Sequence, residues 1–172
     1  MNQRYRRLFY FGPLCVWMAV IFVMSSRAGE SDKSGGLLNG AIAWASPTFY
    51  HTLSQYQLEC LNYGFRKTCH VTEYAILALL FMRALRSGQK RISLGSLLLA
   101  LFCATLYACT DEFHQRFVPG RTASLEDVLI DSVGALLALI LAGIYAAYRT
   151  LENAVNMNRS RTPGGSATEN VT

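Results

Sequence analysis

The chain has 172 residues, of which 52% are hydrophobic and 16% charged, and its mean hydropathy is +0.22. That composition excludes a disordered chain, is too apolar for an ordinary soluble domain, and points to a membrane. The net charge of +5 does not indicate nucleic acid, because the cations form no single stripe interleaved with aromatics, and the length leaves no room for a separate soluble catalytic domain.

A helix needs roughly 17 to 25 residues to cross a hydrocarbon core about 30 Å thick. The first apolar run of that kind is Leu8 to Met24. A basic start precedes it, but no A-x-A-type cleavage site follows, so it reads as a retained helix and residues 1–7 as a cytoplasmic N-terminus. Next comes a stretch that is not simply hydrophilic: Leu37 to Tyr50 places Leu37, Leu38, Ile42, Trp44, Phe49 and Tyr50 among Gly, Ser and Asn. It predicts a short interfacial or re-entrant helix, and Leu53 to Phe65 predicts a second.

The second run, Val71 to Leu85, reaches spanning length only by starting near Arg66 to His70, which gives a span of about 67–85. Runs at 92–110 and 128–148 complete the set. Lipid tolerates only self-satisfied backbone, so the expected fold is all-α, an integral membrane bundle of four transmembrane helices over 8–148. The remainder, 149–172, is rich in Asn, Ser, Thr and Gly from Leu151 onward and predicts a disordered cytoplasmic tail. No internal repeat is visible.

Lys and Arg accumulate on the cytoplasmic side of a membrane protein. With both termini on that side, it carries ten cations and two acids, against six cations and nine acids on the other. The outer loops then fall at about 25–67 and 111–127. Of five cysteines, Cys15, Cys103 and Cys109 lie in apolar runs, and only Cys60 and Cys69 are placed to pair; nothing in the sequence establishes that they do.

An ionisable residue in or at the lip of a span costs roughly 2.5 to 3.5 kcal/mol and needs a partner or a task. His70 and Glu73 open the second span, Asp111, Glu112 and His114 close the third, and Arg121, Asp127 and Asp131 lead into the fourth. All belong to the outer side by the charge count. His70 and Glu73 share a helix face by their i, i+3 spacing, as do Asp111 and His114 if the helix runs that far. Such a layer suits either His and carboxylate ligation of a metal or metal-free acid and base work, with a carboxylate orienting a histidine. Neither H-E-x-x-H nor C-x-x-C occurs, so no residue is assigned to a metal. The structural alternative is a set of ion pairs that pins helix ends together.

Individual residues carry their own alternatives. Ser124-Leu-Glu-Asp127 matches a capping box, so Asp127 reads equally as a cap or a site residue, whereas Asp131, one turn deeper on the same face, has no capping role. Pro119-Gly120 reads as a turn presenting Arg121 to the layer. His51 reads as solvated, aromatics at span ends as interface anchors, and Gly134 and Gly143 as close helix packing.

The stretch from Asp111 to Val128, with its D-E-x-H-Q-x-F-x-P-x-R pattern, followed by Asp131 and Gly134, resembles the VanZ-like family of small membrane proteins. The resemblance extends to Lys67-x-x-His70-x-x-Glu73-Tyr74-x-x-Leu77 and to Phe22-Val-Met-Ser25-Ser26, and so covers about Leu8 to Tyr148. It implies that His70, Glu73, Asp111, Glu112, His114, Gln115, Arg121 and Asp127 form the family's polar signature. At Asp131 many members carry Asn. The family takes its name from a protein associated with resistance to teicoplanin, a lipid-bearing glycopeptide antibiotic.

Two functions follow. One is a cell-envelope membrane protein whose outer-leaflet pocket binds a lipid headgroup or lipid-linked cell-wall precursor. The other is a membrane-embedded hydrolase or transferase on such a substrate. In the second, His70 or His114 acts as base and Asp111 or Glu112 as acid or ligand, with Glu73 in the same set, while Gln115, Arg121, Asp127 and Asp131 bind substrate. The sequence specifies no cofactor and no oligomeric state. A transporter is poorly supported by four spans without a repeat.

Overall fold

The computed structural model describes residues 3–26, 30–86, 92–119 and 123–161. Six helices follow in chain order: α1 (Gln3–Ser25), α2 (Glu30–Ala45), α3 (Pro47–Thr52), α4 (Gln55–Arg86), α5 (Leu94–Gln115) and α6 (Leu125–Arg161). The protein is all-α, and α1, α4, α5 and α6 are each long and apolar enough to cross a membrane.

The four long helices exceed the expected spans for local reasons. Ser54 starts α4: its Oγ accepts from Gln57 N at 3.3 Å while Gln57 Oε1 accepts from Ser54 N at 2.8 Å, a reciprocal cap. No proline lies between Gln57 and Val71, and the helix runs through Gly64 unbroken, so the segment expected as a second interfacial helix is the N-terminal third of α4. At the other end of the chain α6 runs to Arg161, although composition predicts disorder from Leu151. Leu151, Ala154 and Met157 sustain helix there, and Arg149 Nη1 donates to Glu152 Oε2 at 2.9 Å, one turn on. Only the part of that tail from 162 onward lies outside the described residues.

Packing centres on α4 and α6, the most extensive helix pair. Small residues permit the approach: Ala78 and Ala84 on α4, Ala100, Ala104 and Ala108 on α5 and Ala135 on α6 are all buried. At Gly134 the contact is closest, since a Cβ there would lie 2.5 Å from the carbonyl oxygen of Val71. Gly143 is looser, with Leu97 Cδ1 at 3.5 Å. α1 docks on α4 and α5 at two levels. Pro13 has no N–H for the carbonyl of Phe9 four residues earlier, and Arg83 Nη2 donates to that oxygen at 2.9 Å, its guanidinium over the Phe9 ring. Nearer the other end, Trp17 Nε1 donates to Glu73 O at 3.0 Å and Tyr107 Oη to Met18 O at 2.6 Å.

The five cysteines are free. Cys60 and Cys69 stand nine residues apart on one continuous helix, about 13 Å along its axis, so the pairing left open by the sequence is geometrically impossible.

Candidate functional site

Four helices bring polar side chains to one level, at the end of the bundle away from Arg83 and Arg149. α4 contributes Lys67, His70, Glu73 and Tyr74; α5 contributes Asp111, Glu112, His114 and Gln115; α6 contributes Asp127 and Asp131; and the end of α1 contributes Ser25 and Ser26. Asp111, Glu112, Gln115, Asp131 and Ser25 are buried.

The pairing runs across helices. Asp131, 1% exposed, has an oxygen 3.6 Å from His70 Nδ1, the contact that the close approach of Gly134 one turn later permits. Asp127 forms an ion pair with Lys67. Asp131 also has Glu112, Asp127, Asp111 and Glu73 as electrostatic neighbours, so the layer concentrates negative charge. Tyr74 is equally buried; its hydroxyl has Asp111 and Asp131 near it and no hydrogen-bond partner among the described residues.

Asp111 and Glu112 are not a facing pair. Adjacent helical residues point about 100° apart. Asp111 Oδ2 accepts from Gln115 Nε2 at 3.0 Å within α5, and Glu112 Oε2 accepts from the Ser124 backbone N–H at 3.0 Å, tying α5 to the start of α6. That bond replaces the expected cap: Ser124 N is taken by Glu112 and Asp127 by Lys67, leaving only Glu126 N on Ser124 Oγ at 3.1 Å.

Asp111 and His114 diverge too. α5 does continue to Gln115, but His114 turns to α1, its ring 4.6 Å from that of Phe22 and its Nε2 3.1 Å from Ser26 Oγ. Ser26 Oγ lies nearer to Phe22 O, at 2.6 Å. The hydroxyl proton goes to that carbonyl, so His114 donates to Ser26, and this contact does not activate a serine nucleophile.

Arg121 lies outside the described residues. His51 is exposed on α3 beside Tyr50. Among the described residues no three His, Cys, Asp or Glu side chains are grouped as a metal would require. Sequence reasoning passed over Lys67, Tyr74 and Ser26 as site residues. The Lys67-x-x-His70-x-x-Glu73 spacing was the available signal for the first, since i, i+3 steps put Lys67 beside His70 and His70 beside Glu73 on α4.

Beside the layer, between the C-terminal end of α5 and the start of α6, is a groove of about 180 Å³ lined by Cys109, Glu112, Phe113, Arg116, Ala123, Ser124, Leu125 and Val128. Phe113 and Leu125 are exposed at 61% and 82%, so the groove opens sideways past apolar side chains.

The buried layer, formed by the two polar segments around His70 and Asp111, coincides with a family assignment. The sequence pattern of VanZ/LLP1 matches residues 10–146, which contain every described residue of the layer. The chain belongs to the VanZ/LLP1 family. Neither a curated protein nor a solved structure matches it. Family membership and the four long apolar helices together make this a VanZ-like multi-pass membrane protein.

Proposed function

We propose that the carboxylate layer faces the outer leaflet of the plasma membrane, with both termini cytoplasmic, and that it binds a lipid headgroup or lipid-linked cell-wall precursor. The observation that carries this reading is the lateral groove between α5 and α6. Glu112 and Arg116 supply charge of both signs to it, while Phe113 and Leu125 give acyl chains an apolar approach. A protein occupying such a precursor would protect it from teicoplanin, the role that the family's name suggests. The test is native mass spectrometry of the detergent-purified chain titrated with phospholipid and with a lipid-linked cell-wall precursor. Wild type retains one of them, and Ala123→Trp, which fills the groove from the loop before α6, loses it; equal retention by both proteins contradicts the reading.

A second reading, a membrane-embedded hydrolase or transferase, is favoured by His70 against the buried Asp131. A buried carboxylate orients an imidazole as a general base, which here would draw a proton from water or a substrate hydroxyl.

A further inference from the structure

The polar layer sits at the end of three helices but in the middle of the fourth. α1 stops at Ser25, α5 stops at Gln115, four residues past Asp111, and α6 begins at Leu125, six before Asp131. His70, by contrast, lies fifteen residues after Gln55 and sixteen before Arg86. Among the described residues α4 is the one long helix that continues above the layer, and α2 and α3 accompany it: α2 packs on α4 and α3, and neither packs on α1, α5 or α6. Asn62 Nδ2 donates to Asn39 Oδ1 at 3.4 Å across the α2–α4 seam.

Past the first turn of α2, which holds Glu30, Asp32 and Lys33 in sequence, this side extension is almost uncharged. From Ser34 to Phe65 the only Asp, Glu, Lys or Arg is Glu59. Leu37, Ala41 and Trp44 recur at i, i+4 and i+7 and share one face of α2, which is turned away from α4: Leu37 is 75% exposed and Trp44 88%. Phe49 and Tyr56 are exposed beside it. In water such a surface would be an aggregation liability.

We infer that α2, α3 and the N-terminal third of α4 form a wing immersed in the headgroup and upper acyl region of a phospholipid leaflet, which covers the Leu37–Ala41–Trp44 face. Length supports that occupant. The 32 residues of α4 make a helix about 48 Å long, and at the usual tilt of about 20° it spans about 45 Å, the thickness of a bilayer with its headgroups. Arg83 and Arg86 then reach one headgroup layer and Tyr56 the other, where Trp44 also belongs. The exposed face of α2 is thus continuous with the lipid-facing surface of the bundle. One consequence is depth: beside α4 the His70–Asp131 pair lies near mid-bilayer, and lipids next to α1 and α5, which end at the layer, and next to α6, which begins there, must dip to meet it.

Trp44 tests this directly, because the only other tryptophan is Trp17, and the difference between wild type and Trp44→Phe isolates its fluorescence. Full-length protein is placed in phosphatidylcholine vesicles with or without acyl chains brominated at positions 6 and 7, and iodide is added outside. The expected result is at least twofold quenching of Trp44 by the brominated lipid, with iodide quenching several-fold weaker than for a soluble tryptophan amide. Free quenching by iodide with no effect of bromine would place the face in water and overturn the inference. Protection from both quenchers would show that a second protein surface, such as another copy of the chain, covers it, and would overturn the inference equally.

Discussion

Gly134 of α6 lies against the backbone of Val71 on α4, so close that a Cβ would fall 2.5 Å from the Val71 carbonyl oxygen. The neighbouring residues His70 and Asp131 meet at 3.6 Å because of this approach. A backbone carbonyl cannot move aside as a flexible side chain can. Gly134→Ala is therefore expected to cost about 1–3 kcal/mol by forcing the helices apart. Gly143→Ala, facing only Leu97 Cδ1 at 3.5 Å, should be near neutral. Thermal unfolding of both variants in detergent gives the comparison; equal losses would refute the close-approach account.

Arg83 and Pro13 form a second linked pair through the Phe9 carbonyl. Arg83→Met leaves that oxygen without its donor and is expected to cost about 1–2 kcal/mol. Pro13→Ala in the same chain restores an N–H to the helix and should recover part of the loss. A double-mutant cycle on unfolding reads the coupling, and simple additivity would show that the contact contributes nothing.

How much of this was legible beforehand differs by element. Apolar runs disclosed the four spans, because lipid enforces length and hydropathy together. The polar signature disclosed which residues share a level, because ionisable groups in a membrane are rare enough to be informative. The start of α4 was missed although Ser54-x-x-Gln57 announces it; Tyr, Gln and Asn after it dilute the apolar signal. At Ser124 the local reading failed for the opposite reason. The capping pattern is present, but Glu112 and Lys67, distant in sequence, take the groups that the cap would use. Likewise no spacing rule shows that His114 turns to Ser26 while Asp111 turns inward.

Asp131→Asn separates the two functional readings. Asn keeps the shape and an acceptor for His70, so a binding site should lose less than about tenfold in affinity. A general base that depends on the Asp131 carboxylate should lose about a hundredfold or more in rate. Lipid retention and turnover of a lipid-linked substrate, measured on the same preparation, decide between them.

The cysteines give an independent check on α4. With Cys60 and Cys69 on one unbroken helix, the unfolded protein should show five reactive thiols without any reductant. Titration with a thiol reagent in denaturant yields that number directly. Three thiols, rising to four when either Cys60 or Cys69 alone is replaced by serine and remaining three in the double variant, would mean that those two residues bridge and that the helix is broken between them.

The most direct test of the central claim, that the carboxylate layer is a working site, is teicoplanin susceptibility. A sensitive Gram-positive host would express wild type or Asp111→Asn, with membrane levels matched through a C-terminal tag. Asn keeps an oxygen toward Gln115, removes the charge and replaces the other oxygen with an amide donor. The account predicts protection by wild type and its loss in an equally abundant Asp111→Asn. Equal protection by both proteins, or none from well-inserted wild type, would contradict it.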